Sequence, residues 1–270
     1  MIHSPNAPIG IFDSGVGGLT VLSAIEKALP SENLLYFGDT ARVPYGTKSK
    51  DTVIRYSKEI YSFLVDKGSK AIVIACNTAS SHALEILQKE SSIPVLGVVE
   101  PGIRAYLNVA KQGKSKPAVI ATRSTVKSGS YEKAYKKLNG SGRLFTKACP
   151  LFVPMIEENY MEKKAMDLVI HEYLDELIRE EITHVILGCT HYPLLLPKLS
   201  AMYPTIQFIN PAEEVALELK DLLEQKNLRN QQTQGELKVY VSDITDTLSD
   251  LQTLFLGEKI DSIERVVLDW

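Results

Sequence analysis

The chain has 270 residues, 44% hydrophobic and 23% charged, with 30 basic against 33 acidic side chains and a formal net charge of −3. That composition belongs to a folded globular protein and excludes a disordered, collagen-like or coiled-coil chain. No cationic surplus exists for a phosphate backbone and no run of ~18 apolar residues occurs, so neither nucleic acid nor a membrane is an expected partner.

In chain order, short runs rich in Val and Ile alternate with longer amphipathic stretches. Residues 9–12 read as a strand, 19–29 as a helix, 34–37 as a strand, 50–67 as a helix, 71–75 as a strand, 78–90 as a helix and 95–99 as a strand. A polar break at 111–117 precedes a second series. There 118–121 reads as a strand, 130–138 and 163–180 as helices, and 184–187 and 206–209 as strands. The tail adds a helix at 213–225, a surface loop at 225–236, a strand at 237–241 and a helix at 244–255. Strands alternating with helices specify an α/β fold, with buried parallel strands and helices on both faces.

The chain also repeats itself at low resolution. The strand at 9–12 leads into Asp13-Ser14, and the strand at 118–121 leads into Thr122-Arg123-Ser124. Val43-Pro44 returns 110 residues later as Val153-Pro154. Cys76-Asn77-Thr78 closes one apolar strand, and Cys189-Thr190-His191 closes another 113 residues on. Three matches at nearly one offset indicate a domain duplication. The expected architecture is two similar parallel-sheet lobes related by a pseudo-twofold axis, with the active site in the cleft between them. Residues 1–98 with 211–270 form one lobe, and 99–210 the other. A division by ~150 residues per domain agrees with two units.

Of three cysteines, Cys76 and Cys189 sit at strand carboxyl ends, where ligands of parallel sheets bind. A helix-start signal follows each, and a helix amino terminus lowers a thiol pKa, so both positions suit a thiolate. Cys149, before Pro150, reads as packing. An odd, small number of cysteines is no disulfide framework and fits a reducing compartment. The start of the chain shows no basic stretch leading into an apolar segment, hence no expected signal peptide.

Paired thiols in mirrored lobes suit inversion of a carbon centre. One group takes a proton from one face while the other delivers a proton to the opposite face. Three other readings stay open on the residues alone. Cys76, Cys189 and His191 are a zinc candidate, although Cys-x-His is not a usual ligand spacing. A cysteine with His191 as base is an acyl nucleophile candidate. A bilobal protein that binds a small dicarboxylate without reacting has the same cleft.

Asp13-Ser14-Gly15-Val16-Gly17-Gly18 follows a strand and opens a helix, yet Thr20 stands where a dinucleotide fingerprint needs its third glycine. Bare backbone N–H groups there still suit a carboxylate. Asp13 reads as an ammonium partner, a neighbour of the thiol, or a helix cap. Tyr45-Gly46, in a loop after a strand, offers a ring wall and a backbone amide. Glu157 occupies the matching loop of the second half, and His191 lies two residues from Cys189.

Six segments carry a family resemblance: IGIFDSGVGGLTV at 9–21, YFGDTARVPYG at 36–46, IACNTAS at 74–80, GVVEPG at 97–102, CPLFVPMIEE at 149–158 and LGCTHYPLL at 187–195. The chain resembles the glutamate racemases, cofactor-independent members of the aspartate/glutamate racemase superfamily. The resemblance implies interconversion of L- and D-glutamate without metal or cofactor, with Cys76 and Cys189 as the proton donors and acceptors. It implies substrate-binding positions at Asp13, Ser14, Tyr45, Gly46, Asn77, Thr78, Thr190 and His191. It makes Asp13, Asp39, Glu157 and His191 the auxiliary groups that tune the thiols. It also implies a bacterial, cytoplasmic protein supplying D-glutamate for peptidoglycan, and leaves a homodimer open. Superfamily relatives act on aspartate, hydantoins or maleate, and a single methylene is worth only ~1–3 kcal/mol of selectivity.

Overall fold

The computed structural model describes residues 4–110, 115–244, 248, 253, 255 and 263–268. The first sheet comprises β1 Ile9–Asp13, β2 Leu34–Gly38, β3 Ala71–Ile74, β4 Val95–Leu96, β9 Leu237–Val241 and β10 Ile263–Arg265. The second comprises β5 Pro117–Ala121, β6 Phe145–Ala148, β7 His184–Gly188 and β8 Gln207–Ile209. All strand pairs are parallel. The strand orders are β10-β9-β2-β1-β3-β4 and β6-β5-β7-β8. Without β9 and β10 the two orders are the same walk, β2-β1-β3-β4 against β6-β5-β7-β8. The duplication read from dipeptides is therefore a duplication of topology.

Helices cover both faces of each sheet. They are α1 Leu19–Ala28, α2 Lys50–Asp66, α3 Asn77–Glu90, α4 Val99–Ala110, α5 Arg123–Ser128, α6 Ser130–Lys137, α7 Phe152–Glu157, α8 Lys164–Arg179, α9 Leu196–Met202 and α10 Ala212–Gln225. Covered on both sides, β1, β2 and β3 are buried at every position, which is why they read as continuous apolar runs. One core of the first lobe packs α1 and α10 residues such as Leu22 and Leu219 against Ile9, Ile11 and Val73. The core on the other face packs Ile60, Leu64 and Ala83 against Phe12, Phe37 and Ile74. In the second lobe, Ile170 and Leu174 of α8 pack on Val185 and Leu187, while Ile103 and Tyr106 of α4 pack on Val119 and Ile186.

The structure departs from the sequence reading at several elements. The strand expected over 95–99 stops at Leu96, and Val99 already begins α4. Pro101 and Gly102 hide this helix from a breaker-based reading, yet a proline in the first helical turn loses no hydrogen bond. Val99, Ile103 and Tyr106 then bury at a helical spacing. β6 was not expected because its sequence, Phe-Thr-Lys-Ala, is half-exposed at a sheet edge. The short helices α5, α7 and α9 also escape periodicity. Val43-Pro44 precedes a 3₁₀ turn at Tyr45–Thr47, whereas Val153-Pro154 lies inside α7, so the matched dipeptides differ in local structure. The helix expected over 244–255 falls mostly outside the described residues, of which Leu248, Thr253 and Phe255 are helical. No helix of the described residues is long and apolar enough to cross a membrane.

Candidate active site

Both strand-end cysteines open onto one cavity of about 940 Å³ lined by residues of both sheets' loops. Cys76 follows β3 and caps α3: its Sγ accepts from the Ala79 N–H at 3.5 Å and lies 3.6 Å from Ser14 Oγ. Cys189 follows β7, and a 3₁₀ turn at Tyr192–Leu195 begins just behind it. The side chains are nearly buried, at 5% and 7% exposure. Ser14, Tyr45, Gly46, Asn77, Thr78, Glu157, Thr190 and His191 line the same cavity.

Asp13 lies under the floor, fully buried. Its Oδ2 accepts from the Gly15 N–H at 3.0 Å, and its Oδ1 accepts from Thr190 Oγ1 at 3.4 Å. Asp13 thus joins the two lobes beneath the thiols. α1 begins at Leu19 behind Gly18, which has no side chain to cap it. His191 Nε2 is 2.9 Å from Glu157 Oε1, linking the residue two after Cys189 to α7.

The glycines of the 13–18 segment have a steric purpose. A Cβ on Gly17 would stand 2.4 Å from His191 Nδ1, and one on Gly18 would stand 2.5 Å from Asp13 Cβ. Close approach of His191 and Asp13, not a phosphate, explains these residues.

Asp39 is placed differently from the expectation that it tunes a thiol. It is absent from the cavity lining. Its carboxylate accepts from Arg42 Nε at 2.7 Å, from Ser242 Oγ at 2.8 Å and from the Tyr45 hydroxyl. It reaches the site only by holding Tyr45.

The electrostatics also revise one expectation. Burial, reinforced by the Asp13 charge, pushes the Cys76 thiol up to about 12, against the Ala79 N–H and the Ser14 hydroxyl. At Cys76 desolvation therefore outweighs the helix amino terminus, which was expected to favour a thiolate. Burial also raises Asp13, although His191 and the backbone N–H groups of Gly15, Gly18 and Ser14 oppose it. His191 behaves in the opposite sense. Burial disfavours its charge, but Cys189 and Glu157 outweigh burial and raise it to about 10. The cavity thus carries a protonated imidazole on the Cys189 side and a desolvated thiol on the Cys76 side.

Several residues at the site were invisible to motif reading. The buried Tyr131 hydroxyl of α6 donates to Asn77 Oδ1 at 2.6 Å. Thr78 Oγ1 meets Thr122 Oγ1 at 3.0 Å and Thr125 Oγ1 at 3.2 Å. The Phe255 ring meets the His191 ring edge-on, with centroids 5.1 Å apart. His82, read as structural, pairs with Ser124 Oγ at 2.9 Å across the cleft. Cys149, read as packing, is fully buried among Phe152, Ile156 and Tyr192, although it also borders the cavity. Topology brings these groups together; among them, only hydroxyls after a strand end carried any sequence signal.

Comparison with known proteins agrees with this geometry. The sequence profile of the family described as Asp/Glu/Hydantoin racemase matches residues 9–219. The glutamate racemase of Geobacter metallireducens is 46% identical over 267 residues, which is 98% of each chain. The solved glutamate racemase of Thermus thermophilus, in complex with β-chloro-D-alanine, matches at TM-score 0.87 and 44% identity over 98% of each chain. The glutamate racemase of Francisella tularensis, in complex with D-glutamate, matches at TM-score 0.90 and 36% identity, covering 98% of this chain and 99% of that one. The chain belongs to the Asp/Glu/Hydantoin racemase family, and is therefore an isomerase.

Proposed function

We propose that the protein interconverts L- and D-glutamate by two-base proton transfer at the α-carbon, with Cys76 and Cys189 on opposite faces of the substrate. The observation that carries this reading is the pairing of two thiols, each just past the third strand of a like-ordered sheet, at one cavity. The names of the relatives supply the substrate.

In one direction a thiolate takes the α-proton and a thiol returns one to the other face. The raised Cys76 is the protonated partner at rest. Cys189, beside the His191 imidazolium, is its partner on the opposite face. After one turnover the two have exchanged states, and the reverse reaction starts from the other enantiomer. The proton moves between residues of the chain, so the scheme needs no cofactor. The N–H groups at the start of α3, with Asn77, Thr78, Ser14 and Thr190, suit the substrate carboxylates. Asp13, buried beneath the floor and outside the cavity lining, acts through its charge on the Cys76 thiol and not by touching the substrate. Tyr45 and Gly46 wall the cavity, and Asp39 holds Tyr45 in place.

We take residues 1–98 with 211–270 as one lobe and 99–210 as the other. The packing of α4 on the second sheet and α10 on the first supports that division. The role assigned is supply of D-glutamate for peptidoglycan in a bacterial cytoplasm.

The test is optical. Purified protein should carry the circular dichroism of L-glutamate to zero. Cys76→Ala and Cys189→Ala should each abolish this, and Cys149→Ala should retain most of it. Full turnover by Cys189→Ala would overturn the two-thiol scheme. Racemisation of aspartate but not glutamate would keep the scheme and change the substrate.

A further inference from the structure

The cavity is larger than its proposed substrate requires. At about 940 Å³ it lies at the upper end of the range that holds drug-sized ligands, whereas glutamate has ten heavy atoms. The thiols occupy the buried end. The remaining lining belongs to an outer mouth with a distinct chemical character.

Five cationic side chains line that mouth: Lys48, Lys50, Arg123, Lys127 and Lys133, with Lys48 half-buried and the rest exposed. They come from both lobes. Lys48 and Lys50 flank the start of α2, Arg123 and Lys127 lie one turn apart on α5, and Lys133 lies on α6. Among the described residues none of the five forms an ion pair. The lining holds two carboxylates, Glu85 and Glu157, and Glu157 is engaged with His191. The chain as a whole is acidic, at a net −3. A protein with more acidic than basic side chains has therefore gathered unpaired cations at the entrance of one cleft. The charge of Lys50 is felt within it, where it joins burial in holding His82 below the ordinary histidine range.

Concave walls of low dielectric focus the field of such a ring and raise the local concentration of an oppositely charged solute, by a factor of 10 to 10³ in steered systems. Glutamate carries two carboxylates and one ammonium at neutral pH. We propose that Lys50, Arg123, Lys127 and Lys133 form an anion-collecting entrance that draws the net-anionic substrate into the cleft and takes no part in the chemistry. The proposal rests on the glutamate reading above. It assigns a capture function to side chains outside the reacting centre, and it locates the entrance on the face formed by α2, α5 and α6.

Ionic strength is the direct probe. Between about 0.01 M and 0.15 M the screening length shrinks from ~30 Å to ~8 Å, enough to silence an exposed ring but not a buried site. The variant carries Lys50→Gln, Arg123→Gln, Lys127→Gln and Lys133→Gln together; all four are exposed, so folding is preserved. For the unsubstituted protein, kcat/KM for L-glutamate should fall roughly tenfold across that salt range. For the variant it should start roughly tenfold lower and stay flat, with kcat unchanged and the two curves meeting at high salt. Equal salt slopes in both proteins, or a loss confined to kcat, would overturn the proposal while leaving racemisation intact. Calorimetric binding of L-glutamate, run in the same buffers, separates the two readings. Salt-sensitive binding that the variant loses, without any racemisation, would sustain the entrance and overturn the proposed reaction. Neither racemisation nor salt-sensitive binding would overturn both.

Discussion

The Tyr131 hydroxyl, on the second lobe, donates a 2.6 Å hydrogen bond to Asn77 Oδ1, on the first. The amide oxygen is thereby occupied, and the amide nitrogen is left to donate into the cavity that Asn77 lines. One phenol thus fixes which end of a proposed substrate-binding amide faces the ligand. Tyr131→Phe should raise KM by about 3- to 10-fold, the value of one neutral hydrogen bond, with kcat little changed. Steady-state kinetics in both directions check this. An unchanged KM would show that Asn77 keeps its orientation without Tyr131.

Gly17 admits the His191 ring. The Cβ of Gly17→Ala would lie 2.4 Å from Nδ1 and 2.5 Å from Thr190 Oγ1, so the ring and its neighbour must move. Misplacement of ~1 Å at a reacting centre costs on the order of 100-fold, and that loss is expected in kcat, with the far-ultraviolet spectrum preserved.

His191 makes stability pH-dependent with a definite sign. Its folded-state pKa is raised from 6.5 to about 10, so the folded state holds the proton more tightly than the unfolded chain. The resulting stabilisation is complete below pH 6.5, declines as pH rises and is lost above about 10. Glu157→Gln removes one of the groups that raise it and should shrink the decline. Thermal unfolding between pH 6 and pH 11, flanking that window, measures it, with His191→Gln as the flat reference.

Lys70 and Glu32 form an ion pair in which both side chains are fully buried. Lys70 also donates to the Pro5 carbonyl, and Glu32 Oε1 accepts from the Asn230 N–H at 2.9 Å. The pair ties the chain start, β3 and the 226–236 loop together, far from the thiols in function. Lys70→Met leaves the buried Glu32 carboxylate with Arg229, 3.5 Å away, and the Asn230 N–H as partners, and should cost at most about 3–5 kcal/mol in chemical denaturation. KM for the folded fraction should not change.

Most strands of both lobes are legible because burial on both faces makes them uninterrupted apolar runs, whereas the part-exposed edge strands β6 and β10 are not. The thiols were legible because a cysteine at a strand end, followed by a helix start, occurs twice at nearly one offset. Asp39 was misplaced because sequence cannot show that Arg42, three residues on, and Ser242, from the far end of the chain, take its carboxylate. Tyr131, Thr125 and Phe255 were missed for a related reason. Their links to Asn77, Thr78 and His191 span 54, 47 and 64 residues, and no local pattern marks such a contact. The charge state of Cys76 was misjudged because helix position is visible in sequence, while depth of burial and the Asp13 neighbour are not.

The most direct test of two-base transfer is the isotope content of both enantiomers at early times in heavy water. In the proposed scheme, one thiolate removes the α-proton of L-glutamate and the thiol on the opposite face returns one that has exchanged with solvent. The first D-glutamate formed should therefore carry deuterium at its α-carbon, while the remaining L-glutamate keeps protium. Chiral separation with mass analysis reads this within the first few per cent of conversion. Deuterium appearing equally in both enantiomers from the start would indicate a single base serving both faces, and would contradict the paired thiols.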